Sequence, residues 1–128
     1  MTEKTAAEMV AEAKGRVEAL TPEQVAQEMA GGEVTVLDLR ESEEREEQGV
    51  IPGAVHVPRG MLEFRADPTS PYHRSGLDPT RRTILHCASG GRSALAADLL
   101  NQMGYQDVAH LDGGFGGWKE SGAPVEPA

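Results

Sequence analysis

Cys87 is the only cysteine among 128 residues, and its neighbours have the types and order that make a sulfur reactive. The segment His86-Cys87-Ala88-Ser89-Gly90-Gly91-Arg92-Ser93 lies between an apolar, strand-like run and a helical pattern. Gly90 and Gly91 permit a tight turn, positive φ included. Such a turn aims successive backbone N–H groups inward and makes a concavity that binds an anion. The positive end of the following helix faces the same point. Both effects favour thiolate over thiol. Arg92 adds a permanent positive charge at the rim, and small Ala88 and Ser89 leave the sulfur accessible. A cysteine that merely closed a buried strand would be followed by apolar residues, not by a Gly-Gly-Arg turn into a helix. The pattern predicts Cys87 as a covalent nucleophile, with the amides of Ala88, Ser89, Gly90, Gly91 and Arg92 as its cradle.

A strand and a helix must hold that loop, and the rest of the chain alternates between the two. Apolar residues at positions 6, 9, 10, 13, 17 and 20 recur at helical spacing, which predicts an N-terminal helix within residues 1–20, interrupted by Gly15. Thr21-Pro22-Glu23-Gln24 starts a second helix with a capping box, and Gly31-Gly32 stop it. Val34 to Asp38 reads as a buried parallel strand. The acidic run Glu41 to Glu47 reads as a solvated helix ended by Gly49, although such a run also suits a partner or metal surface. Further strands are predicted over 54–57, 83–87 and 108–111, and helices over 61–65, 92–103 and 115–120. Residues 67–79 form a loop, and Gly122 and Pro124 end the ordered part. Alternating strands and helices argue an α/β domain with a mostly parallel central sheet and helices on both faces. In such sheets chemistry sits beyond the carboxyl ends of the strands, where Cys87 falls.

Composition narrows the function. With 12 Lys+Arg against 21 Asp+Glu the net charge is −9, which argues against a nucleic-acid partner. No apolar run approaches a membrane span. A single cysteine excludes an internal disulfide framework and a multi-cysteine zinc site, and the acidic, weakly apolar N-terminus lacks a signal-peptide pattern, so a cytoplasmic protein is expected. His56 and His110 show no metal-ligand spacing, and no metal is expected.

At this level the sequence resembles the rhodanese family of sulfurtransferases, from about residue 21 to 125. The resemblance rests on three blocks in order: Leu37-Asp38-Leu39-Arg40-Glu41 with Gly49-Val50-Ile51-Pro52-Gly53-Ala54-Val55-His56-Val57-Pro58; the cysteine loop; and Leu111-Asp112-Gly113-Gly114-Phe115 through Trp118 and Gly122. Val50 departs from it, since histidine is common there in the family. The resemblance implies a rhodanese-like domain over residues 21–125, with the N-terminal helix outside it. It implies a Cys87 persulfide that carries sulfane sulfur from thiosulfate, or a related persulfide donor, to cyanide, a thiol or a protein acceptor, with no cofactor. A related phosphatase group has five residues between cysteine and arginine. Here four intervene, Ala88 to Gly91, the sulfurtransferase length.

Several residues carry two readings. Arg59 and Arg65 lie in a segment that often borders the family's active site, and they are candidates for substrate binding as much as for surface ion pairs. In the family Asp38 and Arg40 mostly brace the fold. His86 should point away from Cys87 by strand alternation and be a packed histidine. Gly113 and Gly114 serve a turn beside the cysteine loop, and Phe115 and Trp118 anchor the last helix. A persulfide carrier or interaction module on the same fold would share all these residues, so it stands as the alternative to an enzyme.

Overall fold

A computed structural model describes residues 3–128. The elements run α1 (Ala6–Lys14), β1 (Glu18–Leu20), α2 (Pro22–Gly31), β2 (Val34–Asp38), α3 (Ser42–Gln48), β3 (Val55–His56), α4 (Leu62–Ala66, entered through a turn of 3-10 helix), β4 (Arg82–His86), α5 (Gly91–Gln102), β5 (Val108–Leu111) and α6 (Gly114–Glu120). The strands form one parallel sheet in the order β1-β5-β4-β2-β3. This is the α/β architecture expected from the alternating pattern. Among the described residues no helix is long and apolar enough to cross a membrane.

Strand alternation divides the core into two layers. Leu37 and Leu85 pack with Val57, Leu62, Ala96, Ala97 and Leu100 on the α4 and α5 face. Val36 and Ile84 pack with Val25, Ala109, Leu111, Phe115 and Trp118 on the α2 and α6 face. Both faces of β2 and β4 are covered, so both need apolar residues nearly throughout. Each fully buried leucine contributes about 2 kcal/mol of transfer free energy. Cys87 continues the Leu85 side and lies in the α5 layer. His86 takes the other side, where its ring stacks on Phe115.

The N-terminal helix is shorter than its apolar spacing suggests. It starts with a Thr5–Glu8 capping box and ends at Lys14, and Glu18–Leu20 form an edge strand paired with β5. Positions 17 and 20 fit a helical repeat, but Leu20 is the one buried residue of this short strand. Met1 and Thr2, within the expected helical stretch, lie outside the described residues. The C-terminal stretch also differs from expectation, because order does not end at Pro124. Val50 and Glu126 exchange two backbone hydrogen bonds at 2.8 and 3.0 Å, and the Trp118 indole N–H donates to the Pro124 carbonyl at 2.8 Å.

Candidate active site

The sulfur of Cys87 sits where β4 hands over to α5. Gly90 makes the turn with φ of +114° and stands at the N-cap of the helix. The Gly90 N–H reaches Sγ at 3.2 Å, and the Ser93 N–H reaches it at 3.4 Å. Ser93 lies in the first turn of α5, where amides have no partner inside the helix and are free to hold a negatively charged atom. Of the expected cradle residues, Gly90 supplies an amide to the sulfur itself. The second amide comes from Ser93, one residue beyond the expected range. Ala88 and Ser89 are exposed, while Cys87 itself is 1% exposed.

Behind the sulfur lies a polar pair that no motif in the sequence marks. Cys87 Sγ is 3.6 Å from the Ser93 hydroxyl oxygen. That oxygen is 2.9 Å from His110 Nδ1, and the hydroxyl also donates to the Gly90 carbonyl at 3.2 Å. His110 is buried, and burial pushes its pKa down. The one signal for it is alternation in β5. Ala109 and Leu111 face the α6 layer and Val108 the α5 layer, so His110 faces the same side as Cys87.

The loop is held from the other side by the start of α6. The Phe115 N–H donates to the Cys87 carbonyl at 2.8 Å, and the Gly116 N–H to the Ala88 carbonyl at 3.1 Å. Gly114 has φ of +61°, and a Cβ there would stand 2.6 Å from the carbonyl carbon and oxygen of Ala88. Only glycine permits this approach. Phe115 carries the Arg40 guanidinium over its ring at 4.1 Å. Arg40 in turn pairs with Asp38 at 2.9 Å, both completely buried, and Arg45 joins Asp38 at 3.0 Å. Burial acts to raise the Asp38 pKa, but the hydrogen bonds from Arg40 together with the neighbouring positive charge outweigh it and leave the carboxyl below its ordinary value. His86 lies 3.8 Å from Asp38. Neither of its ring nitrogens has a hydrogen-bond partner among the described residues, and burial pushes its pKa down to about 4.

The predicted cations are placed unevenly. Arg92 stands at the loop, but its charge is countered by Glu44 of α3 at 2.7 Å. The acidic helix therefore does more than face solvent, since Glu44 and Arg45 both reach inward. Arg59 pairs with Glu63 at 3.1 Å, and Arg65 donates to the Tyr72 carbonyl at 3.2 Å. Neither arginine bonds to the cysteine loop. Beside Ala88, a cavity of ≈ 140 Å³ opens among Arg40, Glu44, Gln48, Phe115 and Gly116.

The chain is similar in sequence and fold to known proteins. The model of the rhodanese-like domain matches residues 21–121. A sulfurtransferase of Allochromatium vinosum is 32% identical over 110 residues, covering 85% of this chain and 94% of its own. A Rhodopseudomonas palustris structure, described as a protein of unknown function and possible tyrosine phosphatase, superposes with a TM-score of 0.92 at 39% identity, covering 98% of this chain and 97% of its own. Thiosulfate sulfurtransferase from Pseudomonas aeruginosa superposes with a TM-score of 0.77 at 30% identity, covering 95% of this chain but 22% of its own. The chain spans between 25 and 41% of the length of several further curated relatives.

Proposed function

The chain belongs to the rhodanese-like domain family, and from that premise we propose that it transfers sulfane sulfur through a persulfide on Cys87. Sulfurtransferase relatives at modest identity support a rhodanese-type sulfur-transfer role. The observation that carries the finer reading is the pair of amides, from Gly90 and Ser93, that converge on Sγ.

In the first step the Cys87 thiolate attacks the outer sulfur of thiosulfate or a related donor. The new bond is Sγ–S. The donor's sulfur–sulfur bond breaks, and sulfite leaves with its electron pair. In the second step cyanide or a thiolate attacks the outer sulfur of the persulfide, the Sγ–S bond breaks, and the electron pair returns to Cys87. Splitting one transfer into two displacements is nucleophilic catalysis with ping-pong kinetics. Amides that already point at Sγ stabilise negative charge without reorganising, the logic of an oxyanion hole applied to sulfur. Ala88 and Ser89, both exposed, and the cavity beside Ala88 offer the approach for a small donor. Arg59 and Arg65 are bonded to Glu63 and to the Tyr72 carbonyl, and neither belongs to the sulfur cradle.

The test is intact mass after incubation with thiosulfate. A gain of one sulfur, about 32 Da, that cyanide removes is the expected signature of the covalent intermediate. Cys87→Ser should show none. Loading without catalytic turnover would favour the carrier alternative. Absence of loading from thiosulfate and from polysulfide, together with hydrolysis of an aryl phosphate, would replace sulfur transfer with the phosphatase reading suggested for the Rhodopseudomonas protein.

A further inference from the structure

The sulfur cradle has a neighbour that enters from outside the family-matched residues. Helix α1 precedes residue 21, where the family match begins, yet it lies along α5 and ends at the cysteine loop. Arg16 ties the end of α1 to Asp98 of α5 at 2.7 Å. Val10 packs 3.8 Å from the point where a Gly91 side chain would begin, and Lys14 Nζ stands 3.9 Å from the same point on Gly90. Gly90 is the residue whose N–H holds Cys87 Sγ. The His110 ring lies 4.0 Å from that Gly90 point; burial lowers the His110 pKa, the Asp112 charge works against that, and the Lys14 charge adds to it. Lys14 is exposed.

The arginines near the site are already engaged, and Lys119, 5.9 Å from the Phe115 ring, lies on the α6 side of the site. Arg92 is countered by Glu44, Arg59 by Glu63, and Arg40 by Asp38. Among the described residues Lys14 has no carboxylate in ion-pair contact. With Arg92 countered by Glu44, Lys14 of α1 brings an unpaired positive charge to the loop, opposite in sign to Asp112, whose charge also acts on His110.

We infer that Lys14 is a specificity-determining residue that reads the charge of the sulfur donor, favouring a doubly charged inorganic donor over a singly charged one. The inference rests on the sulfur-transfer reading and deepens it. A lysine at an exposed position attracts a dianion twice as strongly as a monoanion, and the attraction is screened by salt.

The experiment is single-turnover loading of Cys87, read by intact mass, with thiosulfate (a dianion) and methanethiosulfonate (a monoanion) as donors. Lys14→Gln should slow loading from thiosulfate by about tenfold and from methanethiosulfonate by about threefold. Lys14→Glu should slow both further, Lys14→Arg should keep wild-type rates, and high salt should shrink the wild-type preference. Equal rates in wild type and Lys14→Glu, or equal losses for the two donors, would overturn the role of Lys14 while leaving sulfur transfer intact. Failure of the wild-type protein to load from either donor would overturn both.

Discussion

Glu44 holds Arg92 by two hydrogen bonds, Oε2 to Nη1 at 2.8 Å and Oε1 to Nη2 at 2.7 Å. The guanidinium one residue beyond Gly91 is thus half of an ion pair, not an open rim charge. The hydrogen bonds from Arg92 pull the Glu44 pKa down to about 2. A carboxyl lowered in the folded state contributes stability that is complete above its ordinary value of 4.5 and declines progressively as pH falls from there to about 2. At any pH suited to a thiolate reaction the pair is intact and Arg92 is neutralised.

Glu44→Gln should therefore expose the Arg92 charge to an anionic donor. The neutral amide can still accept from Arg92 and from the Glu41 N–H, which Glu44 caps at 2.8 Å. We expect kcat/KM for thiosulfate to rise about two- to fivefold at low salt. Because both side chains are about a third exposed, stability should fall by less than about 1 kcal/mol. A drop in kcat/KM would mean that Glu44 serves to orient Arg92 and that neutralisation is incidental.

Ser93 links two atoms that matter, Cys87 Sγ at 3.6 Å and His110 Nδ1 at 2.9 Å. When Nδ1 donates to the serine oxygen, the hydroxyl proton is free to turn from the Gly90 carbonyl toward sulfur. Ser93→Ala should slow persulfide formation about tenfold, the low end for a hydrogen bond to a charged atom because the contact is long. His110→Ala should do nearly the same, and the double variant should lose little more. His110→Asn, with an amide N–H near the Nδ1 position, should recover most of the rate. Fully additive losses in a single-turnover double-mutant cycle would show that the two residues act separately.

What the sequence makes legible here is local. Val34–Asp38 is apolar on both faces because both are covered, and Cys87-Ala88-Ser89-Gly90-Gly91-Arg92 is a contiguous strand-to-helix turn. Both signals lie within a few residues. Glu44 reaches Arg92 across 48 positions and His110 reaches Ser93 across 17, so no spacing announces either contact. The edge strand Glu18–Leu20 is hidden because Val17 and Leu20 also satisfy a helical repeat, and its pairing with β5 is visible only in three dimensions. Residues of the site that come from the loop itself are readable. Those that come from α1, α3 and β5 depend on how the layers close.

Gly114 is where closure is tightest. Its positive φ and the 2.6 Å approach to Ala88 leave no room for a Cβ. Gly114→Ala should destabilise the protein by about 1–3 kcal/mol and slow sulfur loading by at least about tenfold, since a misplacement of the loop of about 1 Å is costly. Gly122 is the control, with φ of +82° and no atom within 4 Å of where a Cβ would stand. Gly122→Ala should cost about 1 kcal/mol and leave loading unchanged. Similar rate losses in the two variants would mean that the contact between Gly114 and Ala88 does not position the sulfur.

His86 should make the fold acid-sensitive. It is completely buried between β4 and Phe115, and burial lowers its pKa from 6.5 to about 4. The unfolded chain therefore takes up this proton at a higher pH than the folded one. Stability is complete above about pH 6.5 and declines as pH falls toward about 4, by about 3 kcal/mol in all. Protonation gains the Asp38 carboxylate at 3.8 Å, but Arg40 and Arg45 already occupy that carboxylate and oppose a third cation. His86→Leu removes the titration and both unpartnered ring nitrogens. Urea unfolding at pH 7.0 and 4.5 should show a larger acid loss for the wild type than for His86→Leu, by about 2 kcal/mol or more. Parallel losses in the two proteins would mean that the buried imidazole does not govern the acid response, and that other groups, His110 first among them, carry it.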